Sequence, residues 1–434
     1  MKTLLRQIIR NFHGWQIPSP IPRDLDLPKL PSNVRKAFVL MGIRRSGKTW
    51  LLYQKMRELL ADGIRQEQML YINFEDDRLS SFQIADFDTL LQTYYELYPE
   101  YANRSDVYFF LDEIHIIDGW EKFVRRLVDQ ELVQVYVTGS SAKMLSRELA
   151  TTLRGRVFAL EVFPFSFREV MNLRDLSSPL TSKQQAAARH LCRHYLEFGG
   201  FPESLDLPAP VHRTLLQDYM NVVIFRDVVE RHEFRNVTLA KLFFMRCMRQ
   251  LGSLFSVRKL HRNLKSEGHA VGINTLYELL DYFEEAYALF AIPIYAFSEK
   301  KQKANPQKLY SIDPGVLRAY TVKPGFDEAA ALENAVFIEL RHQCSDIYYY
   351  HTKEGREVNF LTMDADGSFS LIQVCIDLSE EDTFEREVWA LVEAAAELQL
   401  STGNVVTWDH EESIVREGIE IHFHPFWKWA GEKR

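Results

Sequence analysis

Cysteine is scarce in this chain: Cys192, Cys247, Cys344 and Cys375 are its only four, and no two of them stand in a CxxC spacing. That excludes a disulfide framework and a zinc ribbon, and it fits a reducing cytosol. Long apolar runs are missing too. The stretch MKTLLRQIIRNFHGW carries Arg and Asn inside its apolar pattern, so it offers neither the core of a signal peptide nor the roughly 18 apolar residues of a membrane span. Its Leu and Ile recur at helical spacing instead, as in a docking helix. Nor is there an excess of positive charge. With 52 Lys and Arg against 60 Asp and Glu the net charge is −8, so no whole-molecule field draws the protein to nucleic acid or an anionic membrane, and any nucleic-acid contact is local. Internal repeats and low-complexity tracts are absent as well.

What is present reads as a folded protein, 46% hydrophobic, 13% aromatic and 26% charged. A single core stops growing at about 250–300 residues, so 434 residues predict two or three domains. IPSPIPRDLDLPKLP holds five prolines in fifteen residues, a semi-rigid linker, and the first domain is expected to begin near Val34. There, KAFVLM, MLYINF, VYFFLDE and VQVYVTG are short apolar runs separated by helical stretches, the alternation of an α/β domain with a parallel sheet. From Ser166 to about Gly252 the period is helical. SVRKLHRNLKSEG and NTLYELLDYFEEA then predict two helices, followed by YALFAIPIYAF and QKLYSI around a polar loop, a winged-helix module. From about Pro324 a helix, three strands, an amphipathic helix and two more strands predict a separate α/β fold.

GIRRSGKT, from Gly42 through Ile43, Arg44, Arg45, Ser46, Gly47 and Lys48 to Thr49, fits GxxxxGK[ST] without a mismatch, after an apolar strand and ahead of a helix that continues with Trp50. The glycines let backbone N–H groups curl toward phosphates, and the helix N-terminus favours an anion. Lys48 is expected on the β- and γ-phosphates of ATP and the Thr49 hydroxyl on Mg2+. VYFFLDE ends its strand in Asp112 and Glu113, where a parallel sheet meets its ligand; Asp112 is expected to hold the metal through water and Glu113 to activate the attacking water. VTGSS places Thr138 and Ser140 either against the γ-phosphate or at a helix N-cap. LRGRVF offers Arg154 and Arg156 on a turn, either as arginine fingers, from the same or a neighbouring subunit, or as surface residues.

These segments, with YINFEDDRL, FPFSFREV, YLEFGGFPE, KLYSIDPGVL, ALENAVFIEL and EVNFL in the same order, resemble uncharacterised prokaryotic P-loop ATPases of the AAA+/STAND-like class that carry a C-terminal restriction-endonuclease-like domain. The resemblance implies a helix and linker over 1–33, an ATPase core over 34–165, a helical lid over 166–252, a winged helix over 253–323 and a nuclease-like tail over 324–434. It also implies that GGFP, with Pro202, meets the adenine from the lid; the residues alone read equally as a helix C-cap and stop. Where many relatives carry Gln beside the catalytic glutamate, this chain has His115, which is expected to reach the γ-phosphate region as an amide would. Glu75, Asp76 and Asp77 are expected to face solvent, and Asp313, followed by Pro314, to cap a helix.

Locally basic residues, Arg246, Arg249, Arg258, Lys259, Arg262 and Lys265, then Lys300, Lys301, Lys303 and Lys308, make DNA a candidate partner of the winged helix and its loop. A PD-(D/E)xK nuclease needs an acid on one strand and Glu-x-Lys on the next. The family strands read EVDF and IEVK, whereas this chain has EVNF and IQVC, so Asn359, Gln373 and Cys375 stand where the acids and lysine belong, and Glu333 and Glu357 remain. Asp377 is the one acid on the second strand's face that offers a replacement. The expectation is a cytoplasmic, non-membrane α/β protein: an Mg2+-dependent ATPase used as a switch, with an inactive nuclease-like tail that docks a protein partner. The alternatives are a DNA-binding regulator or defence component in which nucleotide is structural, and an ATP-coupled DNA nuclease. The oligomeric state is left open.

Overall fold

The apolar runs ahead of residue 163 form one parallel sheet, whose strands are β1 (Ala37–Met41), β2 (Met69–Asn73), β3 (Tyr108–Asp112), β4 (Gln134–Gly139) and β5 (Val157–Glu161), in the order β2-β3-β4-β1-β5. Every residue of β1 and β3 is buried. Continuous apolar runs of this kind suit a sheet with both faces covered. In the computed structural model, residues 1–25, 27–28, 34–139, 155–176, 180–296, 298, 302, 305–321, 327–364 and 366–432 are described, and the chain divides into two units, Met1–Phe163 and Pro164–Arg434.

The α-helices of the first unit, among the described residues, are α1 (Lys2–His13), α2 (Lys48–Ala61), α3 (Asp86–Leu97) and α4 (Trp120–Gln130). Leu5, Ile8, Ile9 and Phe12 make the buried stripe of α1, spaced to lie on one helical face. His13 fixes its end through Tyr98 Oη at 2.7 Å and the Met69 carbonyl at 2.9 Å. Ile17 and Arg23, in the proline-rich stretch that follows, are buried within the same unit. Strand β5 was not among the expected runs. VFALE has no fully buried residue, as suits the edge strand of the sheet, and it is short enough to escape the periodic signal.

The second unit begins with α5 (Phe167–Leu173), whose capping box pairs Ser166 with Glu169. Then come α6 (Ser182–Phe198), α7 (Ala209–Val222), a π-helical turn over Val223–Glu230 and α8 (Val237–Met248). A two-residue strand β6 (Leu254–Phe255), α9 (Val257–Ser266), α10 (Ile273–Glu285), β7 (Leu289–Ile292) and β8 (Gln307–Ser311) follow, the strands pairing antiparallel as β6-β8-β7.

After α11 (Pro314–Tyr320) and α12 (Glu328–Arg341), a six-stranded mixed sheet is built from β9 (Ile347–His351), β10 (Glu357–Met363), β11 (Phe369–Cys375), β12 (Thr402–Thr407), β13 (Glu412–Arg416) and β14 (Ile419–Pro425), in the order β13-β14-β12-β11-β10-β9. Helix α13 (Glu381–Leu398) buries Val388, Leu391 and Val392 against it, and α14 (Phe426–Trp429) ends the fold. Three strands follow α13, not two, because Glu417 (φ 50°) and Gly418 (φ 82°) fold β13 back onto β14 with Arg416 opposite Ile419. Two successive positive φ values make a tight hairpin turn, and Glu-Gly announces it less clearly than Asn-Gly.

Candidate nucleotide site

The loop between β1 and α2 leaves the sheet at its carboxyl edge, beside the ends of β3 and β4. Gly42 (φ 147°) and Gly47 (φ 99°) take conformations that favour glycine, and a Cβ on Gly42 would collide with the Val162 carbonyl oxygen. Lys48, only 4% exposed, donates from Nζ to the carbonyls of Gly42 and Ile43, each at 3.0 Å. The Ser46 hydroxyl is buried and has no hydrogen-bond partner among the described residues. Arg44 pairs with Glu75 at 3.4 Å, Arg45 holds a left-handed φ of 65°, and Trp50 is 48% exposed with its ring edge-on to Tyr53.

Asp112, at the end of β3, is the hub. Its carboxylate accepts from Thr49 Oγ1 at 2.9 Å, from Tyr71 Oη at 3.0 Å and from Thr138 Oγ1 at 2.5 Å. Burial, with the Glu113 charge beside it, pushes the Asp112 carboxyl up against the pull of those three hydroxyls. Thr138 also accepts the Glu113 N–H at 2.9 Å, so its hydroxyl bridges Asp112 and Glu113. Glu113 sits at φ 52° and its Oε2 lies 3.2 Å from His115 Nδ1. Burial would raise its carboxyl, but His115, Lys48 and Arg44 outweigh that and hold it below the usual range. His115 thus faces the glutamate, a partner the sequence did not suggest.

Glu75 and Asp77 are exposed, and Asp76 accepts the Arg78 N–H as a turn cap. Arg156 sits just ahead of β5, at the amino edge of the parallel sheet, paired with Asp129. Five residues of strand, about 16 Å, separate that edge from the P-loop edge, so Arg156 cannot act as a finger on its own subunit's phosphates. Ser140 and Arg154 lie outside the described residues. Pro202 opens a 3-10 turn in the second unit after Gly199 and Gly200, which pack on Asp313 and the Phe165 carbonyl. Asp313 does cap α11, accepting the Gly315 N–H at 2.8 Å, and it also accepts the Gly200 N–H at 2.6 Å. Sequence reasoning missed Tyr71, Tyr53 and Arg23. A tyrosine two residues before the end of β2, on the same strand face as Asn73, which pairs with Asp112 on the neighbouring strand, is the signal that points to Tyr71.

In the tail, Asn359 and Gln373 are buried and stitched together: Asn359 N–H donates to Gln373 Oε1 at 2.9 Å and Val374 N–H to Asn359 Oδ1 at 2.9 Å. Gln373 Nε2 donates to Glu387. The remaining acids are also engaged. Lys308 Nζ lies 2.9 Å from Glu333 and 2.7 Å from Glu357, and Tyr310 Oη donates to Glu333 at 2.8 Å. Lys308 is 2% exposed, so it belongs to an internal ion pair and not to a basic loop. Burial opposes its charge, yet the two glutamates outweigh burial and raise its pKa. Asp377 lies exposed beyond β11 and accepts the Ser379 N–H at 2.8 Å, so it does not replace the missing acid. Lys300, Lys301 and Lys303 lie outside the described residues.

Residues 34–171 match a family model described as an AAA domain, and residues 189–325 match one described as a domain of unknown function. The second model spans both the helical stretch and the three-stranded sheet and stops short of the tail. Similar curated proteins are uncharacterized: MJ1544 of Methanocaldococcus jannaschii is 32% identical, with 98% of this chain and 94% of that protein covered. A Haemophilus influenzae protein is 29% identical over 90% and 93%. Among solved structures, the Aeropyrum pernix ORC1 protein in complex with DNA overlays at a TM-score of 0.27 and 12% identity, covering 66% of this chain and 86% of that one. Pyrobaculum aerophilum Cdc6p overlays at 0.26 and 13%, covering 77% and 94%. The chain belongs to the family of the M. jannaschii MJ1544 protein, and it carries a P-loop AAA domain at residues 34–171.

Proposed function

We propose that the first unit binds ATP with Mg2+ and hydrolyses it, and that nucleotide state sets the arrangement of the segments that follow. The observation that carries this reading is the Thr49 hydroxyl against the Asp112 carboxylate at 2.9 Å, beside a loop with an unpartnered buried serine hydroxyl and a lysine resting on two loop carbonyls. The Thr49 hydroxyl and the Asp112 carboxylate offer two oxygens side by side, a donor set that fits Mg2+, which takes one or two protein oxygens and fills its shell with phosphate and water.

In this reading the ammonium of Lys48 leaves the Gly42 and Ile43 carbonyls for the β- and γ-phosphates, and the loop amides take the remaining phosphate oxygens. Thr49 and Asp112 would hold Mg2+, which supplies charge neutralisation on the phosphate oxygens. Glu113 accepts a proton from the attacking water as the γ-phosphorus to bridging-oxygen bond breaks, releasing ADP and phosphate. His115 holds Glu113 in place until then. The test is binding and phosphate release on the full chain. Lys48→Ala is expected to abolish the thermal shift produced by ADP, and Glu113→Gln to retain ATP binding while phosphate release falls by at least about a hundredfold. Unchanged release in Glu113→Gln would remove the hydrolytic reading.

We read α9, α10 and the β6-β8-β7 sheet as a winged helix and the six-stranded tail as a nuclease-like fold without catalytic capacity. Amides occupy the acid positions, and a lysine already sits between the two remaining glutamates. A second reading, contact with a nucleic-acid backbone, rests on α9. Arg258, Lys259, Arg262 and Lys265 line its exposed side while Val257, Leu260 and Leu264 face inward, and none of the four basic residues forms an ion pair with the described residues. Helix α10, which precedes the hairpin, exposes Glu278 and Asp281 instead. The contact is therefore with phosphates through α9, not with base edges through α10. Anisotropy of a labelled duplex against the full chain tests it, and no binding at low salt would remove it.

A further inference from the structure

Arg23 comes from the proline-rich stretch, yet it is only 8% exposed. Its Nη1 donates to the Ser46 carbonyl at 2.8 Å, its Nη2 to the Phe163 carbonyl at 2.8 Å, and its own N–H to Gln54 Oε1 on α2 at 2.9 Å. A Cβ on Gly47 would lie 3.1 Å from Nη1, so the guanidinium is seated directly against the P-loop. In a trans peptide the C=O and the following N–H point in opposite directions. With the Ser46 carbonyl anchored on Arg23, the Gly47 N–H is turned away from the guanidinium, at the amino end of α2 that Gly47 caps. The same guanidinium places a fixed positive charge behind the loop, at the end of a helix whose dipole already favours an anion.

We propose that Arg23 is a positioning residue of the nucleotide site: it holds the Ser46–Gly47 peptide so that the Gly47 amide is aimed at the diphosphate of a bound nucleotide. The proposal rests on the reading of this loop as a nucleotide site. It gives the proline-rich stretch a task, since Pro22 ahead of Arg23 and the Gln54 bond to its backbone limit where the guanidinium can stand. A purely structural strap would affect the melting temperature of the ligand-free protein and leave phosphate affinity alone.

The test is titration of the full chain with ADP and, separately, with inorganic pyrophosphate, both in EDTA, for the wild type, Arg23→Gln and Arg23→Lys. Losing a charge-assisted hydrogen bond from an anion site is expected to weaken both ligands by the same factor, about tenfold or more in Arg23→Gln. A lysine keeps the charge but reaches one carbonyl instead of two, so Arg23→Lys is expected to lose about threefold. Equal, graded losses for the two ligands support the proposal. Wild-type affinity in Arg23→Gln overturns it, whatever happens to the ligand-free melting temperature. If Arg23→Gln does not fold, wild-type affinity for both ligands in Arg23→Lys overturns it. A wild-type chain that binds neither ligand removes the nucleotide reading itself, and Arg23 falls with it.

Discussion

Asp313 accepts the N–H groups of Gly200 at 2.6 Å and Gly315 at 2.8 Å while wholly enclosed. Burial pushes its carboxyl up to about 7, although the backbone donors favour the ionised form. The folded carboxyl therefore holds its proton well above the ordinary carboxylate range. Its stabilising contribution is complete below the unfolded pKa near 4, falls as pH rises from there, and is gone above about 7. Between pH 5 and 7.5 this residue is expected to cost the wild type about 2 kcal/mol relative to Asp313→Asn. Urea unfolding of the two proteins at both pH values, following the transition of the second unit, checks it; a gap that does not change with pH refutes the assignment. The helix-cap half of this role was legible, because Asp-Pro is a local pattern. The bond to Gly200, 113 residues away in sequence, was not. Tyr71 and Arg23 escaped for the same reason, whereas Lys48, Thr49, Asp112 and Glu113 stand in contiguous motifs whose geometry follows from the strand-to-helix turn.

At the scale of elements, the β10–β11 hairpin shows what its two buried amides, Asn359 and Gln373, hold together. The pairing of β10 with β9 shifts register between Val358 and Leu361, which leaves the Asn359 backbone outside the regular ladder. The Gln373 side chain supplies the acceptor for the Asn359 N–H, and Asn359 returns one to Val374. Gln373 must also donate to Glu387, which a carboxylate cannot do. Gln373→Glu is therefore expected to bring two buried carboxylates together and destabilise the second unit by about 3 kcal/mol at pH 8, with much of the loss recovered near pH 5 as one of them takes a proton. Chemical denaturation at the two pH values measures this, and a variant as stable as the wild type at pH 8 contradicts it. EVNF and IQVC announce the two strands and their amides, but not the energetics, since Glu387 and Lys308 reach the hairpin from elements that the strand pattern does not name. Strands β5, β6 and β13 were missed because each is short or lies near an edge, where apolar periodicity fades.

For the whole molecule, a net charge of −8 opposes any polyanion, while the four basic residues exposed on α9 attract one within a Debye length of about 8–10 Å. The two effects have different signatures. Global repulsion slows encounter and weakens with salt, whereas ion pairs to phosphate release counterions, so that log K falls with log salt by about 0.9 for each phosphate neutralised. With Arg258, Lys259, Arg262 and Lys265 all engaged, the expected slope for duplex DNA is about −3 to −4, or roughly a hundredfold loss of affinity between 50 and 200 mM salt. Replacing Arg258 and Arg262 by Glu removes two of the four contacts and is expected to flatten the slope by about 2, equally for unrelated sequences, because α10 exposes acids where base-reading donors would be needed. Anisotropy across a salt series on two duplexes of different sequence measures both quantities. A slope untouched by the double replacement places the contact elsewhere, and a marked preference between the duplexes contradicts a phosphate-only mode.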